Sequence, residues 1–181
     1  MKTLIPNVLQ TQRLILRPYQ PADIDDILKY ASSPDWARFI PVPQPYTKED
    51  AHRYIQEFIE MSPTHGIGFA VTFQHMVLGG IRVRLFLESH KAELGYSISP
   101  YYWRNGFAFE AVRMVIDTCF ESITTLNKIS ANVDSRNISS RNLLIKIGLK
   151  EEGVLRENRF MRGQSIDEAW YGILRKEWVH L

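Results

Sequence analysis

Apolar and polar residues alternate along much of the chain, and the period of the alternation changes between two and about 3.6. A period of two predicts a half-buried strand, whereas apolar residues at i, i+3, i+4 and i+7 predict an amphipathic helix. Ile81, Val83 and Leu85, for example, alternate with Arg82 and Arg84. The predicted strands cover residues 13–17, 68–73, 77–86, 91–99, 128–133, 150–161 and 165–174.

Helical spacing predicts four helices in three of the intervals between these strands. One helix opens at Pro21, and a second follows Thr47, which forms a potential capping box with Asp50. A third begins near Gly106 and carries a wide apolar stripe that includes Cys119, so this cysteine is predicted to lie in the core. The fourth starts near Asn137 and ends at Gly148, the expected C′ residue.

The segment 32–46 contains four prolines, which forbid a continuous helix. Because it also carries Trp36, Phe39 and Tyr46, it is either a packed surface loop or the wall of a pocket. The predicted element order is β-αα-βββ-α-β-α-ββ. A meander that leads into a β-α-β unit predicts an α/β fold, with a mixed sheet and helices on both faces.

Composition and charge exclude several classes of function but do not identify one. The 181 residues fit a single domain, 1–181, and the 45% hydrophobic content argues against disorder. A net charge of +2 is too balanced for a general nucleic-acid binder. No Cys/His cluster has the spacing of a metal site, and no apolar run is long enough to span a membrane. We therefore expect a cytoplasmic protein without metal, membrane or nucleic-acid partners.

The stretch 93–111 runs from a strand through a turn and a glycine into a helix. A helix N-terminus carries unpaired N–H groups and a partial positive charge, which suit a phosphate. Gly106 and Ala108 allow the backbone to approach such an anion closely. Short glycine motifs often occur in chains that bind no phosphate. The alternative is therefore that Gly106 only allows the chain to turn into the helix.

Seven motifs together resemble the GNAT family of N-acetyltransferases, and more narrowly its ribosomal-protein-alanine/serine N-acetyltransferase branch. They occur in the family's order and cover almost the whole chain. They are Thr11-Gln-Arg-Leu-Ile-Leu-Arg-Pro18, Glu93-Leu-Gly-Tyr96, Tyr102-Trp-Arg-Asn-Gly-Phe-Ala108, Asn137-Ile-Ser-Ser140, Lys146-Ile-Gly-Leu149, Glu152-Gly-Val-Leu-Arg-Glu157 and Tyr171-Gly-Ile-Leu174.

The resemblance implies a mostly antiparallel, splayed sheet that holds acetyl-CoA, the cosubstrate, in a cleft between its fourth and fifth strands. The edge of 93–99 would pair with pantetheine, and a backbone N–H near Ile98 would polarise the thioester carbonyl. Trp103 stands where many family members have Arg or Gln, as is common in the ribosomal-protein branch. The pyrophosphate would be bound by the backbone amides of Arg104, Asn105, Gly106, Phe107, Ala108 and Phe109.

Two side chains are candidates for the chemistry. Glu93 is the candidate general base, with a solvated charge as the alternative. Ser140 is the candidate acid toward the leaving thiolate and a cofactor contact, although a serine also favours a first helical turn. Asn137 is expected to contact pantetheine or to cap the helix. A tyrosine could replace Ser140 as the acid, and the available ones are Tyr96, Tyr101, Tyr102 and Tyr171.

Fold and cofactor do not fix the acceptor. It is either the N-terminal amine of a protein, as in the ribosomal-protein branch, or a small amine such as an amino acid or an amine-bearing antibiotic. The alternative from another class is a non-catalytic module that binds acetyl-CoA. The protein is expected to be a monomer or a homodimer.

Overall fold

The computed structural model describes residues 4–178 and contains one eight-stranded sheet with helices on both faces. The helices are α1 (Ile24–Ala31), α2 (Pro34–Ala37), α3 (Lys48–Ile59), α4 (Phe107–Ser122) and α5 (Ile138–Ile147). The strands are β1 (Leu9–Gln10), β2 (Ile15–Arg17), β3 (Gly66–Phe73), β4 (Met76–Phe86), β5 (Lys91–Ile98), β6 (Lys128–Asp134), β7 (Lys150–Met161) and β8 (Gln164–Leu174).

The strand order across the sheet is β1-β2-β3-β4-β5-β6-β8-β7. Every neighbouring pair is antiparallel except β5 and β6, which are parallel. A parallel pair cannot be joined by a hairpin, and here α4 makes the crossover. The predicted α/β fold with a mixed, mostly antiparallel sheet is confirmed.

Two hydrophobic cores occupy the two faces of the sheet. The larger core joins α4 and α5 to side chains such as Phe69 and Val71 of β3, and we call this side the α4 face. The smaller core joins α1, α2 and α3 to residues such as Ala70, and we call it the α3 face. Because successive side chains of a strand point to opposite faces, neighbouring residues of β3 serve different cores.

Most predicted elements are confirmed to within about two residues, and three details differ. Strand β1 was not expected; it pairs Leu9 with Leu16 of β2. Strand β2 begins at Ile15 rather than at residue 13, because the Arg13 N–H donates to a side chain outside the sheet, that of Glu110. The proline-rich segment contains the short helix α2, which Pro34 starts at its first position, where a missing N–H costs nothing.

Local signals at the helix ends are also confirmed. The Thr47 hydroxyl accepts from the Asp50 N–H at 3.2 Å, and the Asp50 carboxylate accepts from the Thr47 N–H at 2.9 Å. Gly148 ends α5 with a φ of 111°, in the left-handed region that favours glycine. Cys119 is buried in the core, and burial raises the pKa of its thiol to about 12, so it is no nucleophile.

Candidate active site

A cleft opens where β5 and β6 diverge. The two strands pair only at Lys91–Glu93 with Lys128–Ser130. Beyond Glu93, strand β5 continues to pair with β4, and β6 continues to pair with β8. The remaining half of β5 therefore has one open edge. The family resemblance implied a cleft between the fourth and fifth strands. These are β5 and β6 here, because the additional strand β1 shifts the numbering by one.

The open edge of β5 presents backbone groups to the cleft. The Ser99 N–H donates to the Leu78 carbonyl of β4 at 2.7 Å. Because N–H groups alternate between the two edges of a strand, the preceding N–H, that of Ile98, points to the open edge. The Ile98 carbonyl shares that edge and accepts a hydrogen bond from Trp103 Nε1 at 2.7 Å. Trp103 therefore ties the end of β5 to the chain that follows it.

Residues 99–106, which we call the entry loop, lead from β5 into α4. Arg104 and Gly106 have φ values of 64° and 79°, both left-handed. Such alternating backbone conformations turn successive N–H groups toward one concavity. Gly106 is the N-cap of α4 and provides no capping side chain, and the first N–H it accepts from is that of Glu110. The N–H groups of 107–109 therefore have no acceptor within the helix.

The side chains of the entry loop and of the first turn of α4 have different surroundings. Asn105 is exposed, and its amide donates to the Trp103 carbonyl at 3.1 Å. Phe107 is buried and packs against Phe73, with ring centroids 4.9 Å apart. Ala108 and Phe109 are half-buried. The geometry thus leaves the backbone, rather than these side chains, to meet a ligand at the loop.

Arg13 holds the entry loop from the other end of the chain. Its Nη1 donates to the Asn105 carbonyl at 3.0 Å, and its Nε donates to Glu110 at 2.7 Å. The guanidinium also lies 4.5 Å from the centre of the Phe107 ring. Burial raises the pKa of Glu110, but hydrogen bonds from Thr11 and Arg13 outweigh it, so that the pKa lies below its usual range.

The predicted acid, Ser140, lies in the first turn of α5 beside the cleft. Its hydroxyl and the Tyr96 hydroxyl of β5 are 2.7 Å apart, a hydrogen bond that joins the two sides of the cleft. Asn137 Oδ1 accepts from the Ser140 N–H at 3.1 Å and so caps the helix. The cap is thus supplied by Asn137, which leaves the Ser140 hydroxyl available to Tyr96.

The structure also separates the four alternative tyrosines. Tyr96 contacts Ser140, and burial raises its pKa to about 12 even though the hydrogen bond with Ser140 lowers it in part.

The other three tyrosines have different surroundings. Tyr101 is 73% exposed. Tyr102 packs beside Phe73 and Phe107. Tyr171 is fully buried, where it donates to Glu151 and accepts from Arg141. Tyr96 is thus the tyrosine bonded to the Ser140 hydroxyl.

Glu93, the predicted base, lies on the other face of the sheet. It pairs in register with Arg84 of β4, and its carboxylate is 3.5 Å from the Arg84 guanidinium. Its side chain is 26% exposed. Tyr96 is three residues further along β5, so strand alternation puts it on the α4 face and Glu93 on the α3 face. The two predicted catalytic groups, Glu93 and Ser140, thus approach the cleft from opposite sides.

A second polar group on the α3 face was not predicted. Glu168 of β8 is 3% exposed and accepts from Asn132 at 3.2 Å and from Asn158 at 2.6 Å. It also forms an ion pair with Arg159. The pattern of a single segment could not identify this group, because its members lie on three strands and Asn132 of β6 is 36 residues from Glu168. Within the described part of the chain, no group of three or more His, Cys, Asp or Glu could hold a metal ion.

No helix among residues 4–178 is long and apolar enough to cross a membrane. Known proteins resemble the chain over most of its length. A sequence model of the acetyltransferase (GNAT) domain matches residues 13–150. The uncharacterised N-acetyltransferase YoaA of Bacillus subtilis strain 168 is 32% identical over 172 residues, which are 93% of this chain and 97% of that protein.

Two further comparisons concern a second curated relative and a solved structure. YdaF of the same bacterium is 32% identical over 90 residues, which are 50% of this chain and 49% of that protein. Its name gives it the unproven role of a ribosomal N-acetyltransferase. The solved structure of Mycobacterium smegmatis RimJ in complex with CoA-disulfide has a TM-score of 0.86 at 20% identity. That match covers 98% of this chain and 91% of RimJ, and at this identity it establishes the fold.

Proposed function

The chain belongs to the GNAT acetyltransferase family and is an acetyl-CoA-dependent N-acetyltransferase, and on that premise we propose that it acetylates a primary amine in the cleft between β5 and β6. The observation that carries the proposal is the hydrogen bond between Tyr96 and Ser140, 2.7 Å long, beside a strand edge with free backbone groups. Donors aimed at one place in a cleft are what transfer of an acyl group requires.

The residues present fit acetyl-CoA. The unpaired N–H groups at the start of α4 suit a pyrophosphate, and the adjacent left-handed residues Arg104 and Gly106 turn further N–H groups toward it. The edge of β5 suits the amide groups of pantetheine, which can pair with it as an additional strand would. Acetyl-CoA supplies an activated acyl group and a thiolate leaving group. These roles of residues 98 and 103–109 form part of the proposal.

The atoms balance as follows. The amine nitrogen forms a bond to the carbonyl carbon of the thioester, and the carbon–sulfur bond breaks with its electron pair on sulfur. The nitrogen loses one proton, and the thiolate gains one. The protein must therefore accept a proton on the amine side and provide hydrogen bonds on the sulfur side.

Ser140 is assigned to the sulfur side. Its hydroxyl is oriented by Tyr96, and with a pKa of about 12 the tyrosine stays protonated in any physiological buffer. The pair can therefore donate to the sulfur as negative charge develops there. Ser140 passes a proton to the thiolate and takes one from Tyr96, and Tyr96 is reprotonated by solvent, which receives the amine proton through Glu93.

Glu93 is assigned to the amine side. It lies on the α3 face, opposite Tyr96, so an amine that enters from the α3 face meets the carboxylate before it meets the thioester. The carboxylate forms an ion pair with Arg84 at 3.5 Å. The base acts on the amine directly or through one water molecule.

The first acceptor to test is the N-terminal amine of a protein. The motifs of the ribosomal-protein branch and the name of YdaF support it. A small amine, including an antibiotic, is the alternative, because the fold alone does not choose between them. The match to N-acetyltransferases argues against a non-catalytic acetyl-CoA-binding module, and the amine panel tests that alternative as well.

An amine panel tests the proposal. The purified protein is incubated with acetyl-CoA and a set of protein N-terminal peptides, amino acids and amine antibiotics. Free thiol release and the mass gain of one acetyl group are both measured. We expect at least one amine to be acetylated, and Ser140→Ala to reduce that rate while acetyl-CoA still binds. Binding of acetyl-CoA without acetylation of any amine would refute the proposal and favour the non-catalytic module.

A further inference from the structure

A cavity with an unusual charge lies on the α3 face, beside the hairpin that joins β7 to β8. Its volume is about 290 Å³, just below the roughly 300–1,000 Å³ typical of ligand pockets. Buried apolar side chains of Met161 and Ile166 line it together with Phe39. Three arginines, Arg38, Arg136 and Arg162, complete the lining apart from Gln164. No Asp or Glu is among the lining residues of the described chain.

The three guanidinium groups are not equally compensated. Arg136 forms a two-point ion pair with Asp134, with contacts of 2.9 and 2.7 Å. Arg38 and Arg162 have no carboxylate partner among residues 4–178. Both residues line a small, partly apolar cavity that has no carboxylate in its lining, and an uncompensated positive charge favours an anionic ligand.

Arg162 is fixed in place by the proline-rich segment. Its Nη2 donates to the carbonyls of Ala37 and Ile40 at 2.8 and 3.0 Å, and its Nη1 donates to that of Arg38 at 3.3 Å. Since these bonds hold the segment against the β7–β8 hairpin, one wall of the cavity is already formed in the free protein. Because the wall does not have to become ordered when a ligand binds, little binding free energy is lost to ordering.

The cavity lies within reach of the proposed chemistry. Arg136 precedes Asn137, the cap of α5, and is four residues from Ser140. Four residues span at most about 14 Å even when fully extended. Ile166 and Glu168 share the α3 face by strand alternation, and this is the face that carries Glu93. A small acceptor could therefore place its amine at the cleft and another group in the cavity.

We propose that the acceptor amine carries an anionic group, a carboxylate or equivalent, that binds in this cavity between Arg38 and Arg162. The inference rests on the proposed function and names its substrate class. One chemistry fits two sources: a small amino acid with its own carboxylate, or a peptide whose acidic side chain lies next to its N-terminal amine.

The experiment compares acceptors that differ only in charge. The small-molecule arm uses a series of ω-amino carboxylic acids and their carboxamides. The peptide arm uses peptides with Asp or Asn at the second position. A hydrogen-bonded ion pair of this kind contributes roughly a tenfold or larger preference. We expect wild-type kcat/KM to favour the anionic member in at least one arm by about that factor, and the arm identifies the source.

Two variants locate the effect. Arg38→Gln removes one uncompensated charge and should reduce kcat/KM for the anionic acceptor about tenfold, while that for the neutral acceptor changes less than about twofold. Lys176→Gln, which removes an equally exposed charge outside the cavity, is the matched control. Melting temperatures of both variants confirm that they fold.

Each result has one meaning. Equal use of charged and neutral acceptors in both arms, with turnover, would overturn this inference and leave the proposed function intact. So would an equal effect of Arg38→Gln and Lys176→Gln. Absence of turnover with every amine would instead overturn the proposed function, on which the inference depends.

Discussion

Removal of the Ser140 hydroxyl tests the proposed acid directly, because the structure separates this hydroxyl from the helix cap. The cap is the Asn137 side chain, which accepts from the Ser140 backbone N–H at 3.1 Å. Ser140→Ala keeps that N–H and removes only the oxygen that lies 2.7 Å from Tyr96. We therefore expect a loss in the chemical step and only a small loss in stability.

The structure sets the size of both effects. Ser140→Ala removes one hydrogen bond between half-buried hydroxyls, which contributes about 1 kcal/mol. For a chain of this length, 1 kcal/mol lowers the melting temperature by roughly 2–4 °C. Tyr96 keeps a weaker contact with the Ser140 carbonyl at 3.3 Å, so its hydroxyl is not left without a partner. Loss of a proton donor, by contrast, lowers a rate roughly a hundredfold.

Three variants measured in parallel make the assay specific. Asn137→Ala removes the cap but keeps the hydroxyl, and it should cost about 1 kcal/mol without a comparable loss in the chemical step. Ser139→Ala, an exposed neighbour on the same turn, controls for the substitution itself. Thermal unfolding, acetyl-CoA affinity and single-turnover thiol release at a permissive temperature are measured on each.

The reasoning would be refuted if Ser140→Ala released thiol within about threefold of the wild-type rate. It would also be refuted if Asn137→Ala and Ser140→Ala slowed the chemical step equally, since that would point to the helix end rather than to the hydroxyl. In either case Tyr96→Phe becomes the next test, because Tyr96 is the tyrosine hydrogen-bonded to Ser140.

Three further outcomes are expected. Acetyl-CoA should raise the melting temperature of the wild type but not that of Gly106→Glu. The φ of 79° at this position and its place at the predicted pyrophosphate site both disfavour a bulky anionic side chain. The same increase in both proteins would contradict the proposed cofactor site. Glu93→Gln should lower kcat roughly a hundredfold, with acetyl-CoA affinity nearly unchanged. A kcat within threefold of the wild-type value would show that Glu93 only forms an ion pair with Arg84 and is not the base. Glu110 has a folded-state pKa below its unfolded value, so its stabilisation is present above about pH 4.3 and is lost as the pH falls through the folded pKa. Denaturant unfolding should therefore show the advantage of wild type over Glu110→Gln at pH 7 shrinking below about pH 4, and an advantage independent of pH would contradict the role of this carboxylate.

Local patterns in the sequence were sufficient for the elements and their ends. Alternation in 77–86 predicted β4 to within one residue, and the Thr47–Asp50 capping box and Gly148 marked helix ends that the structure confirms. These features depend on contacts between residues close in sequence, so the pattern contains the needed information. The motif order was likewise sufficient to indicate the family, which the match over residues 13–150 establishes.

Which groups meet across the cleft was decided only by the tertiary structure. The sequence offered four tyrosines as alternatives to Ser140, and only the splay of β5 from β6 brings Tyr96 to its hydroxyl. Arg13 belongs to the first of the seven motifs, but its hydrogen bonds to Asn105 and Glu110 join positions more than 90 residues apart. The arginine-lined cavity combines the proline-rich segment with the β7–β8 hairpin in the same way. Such contacts depend on strand order and on the crossover through α4, which no periodicity within a single segment encodes.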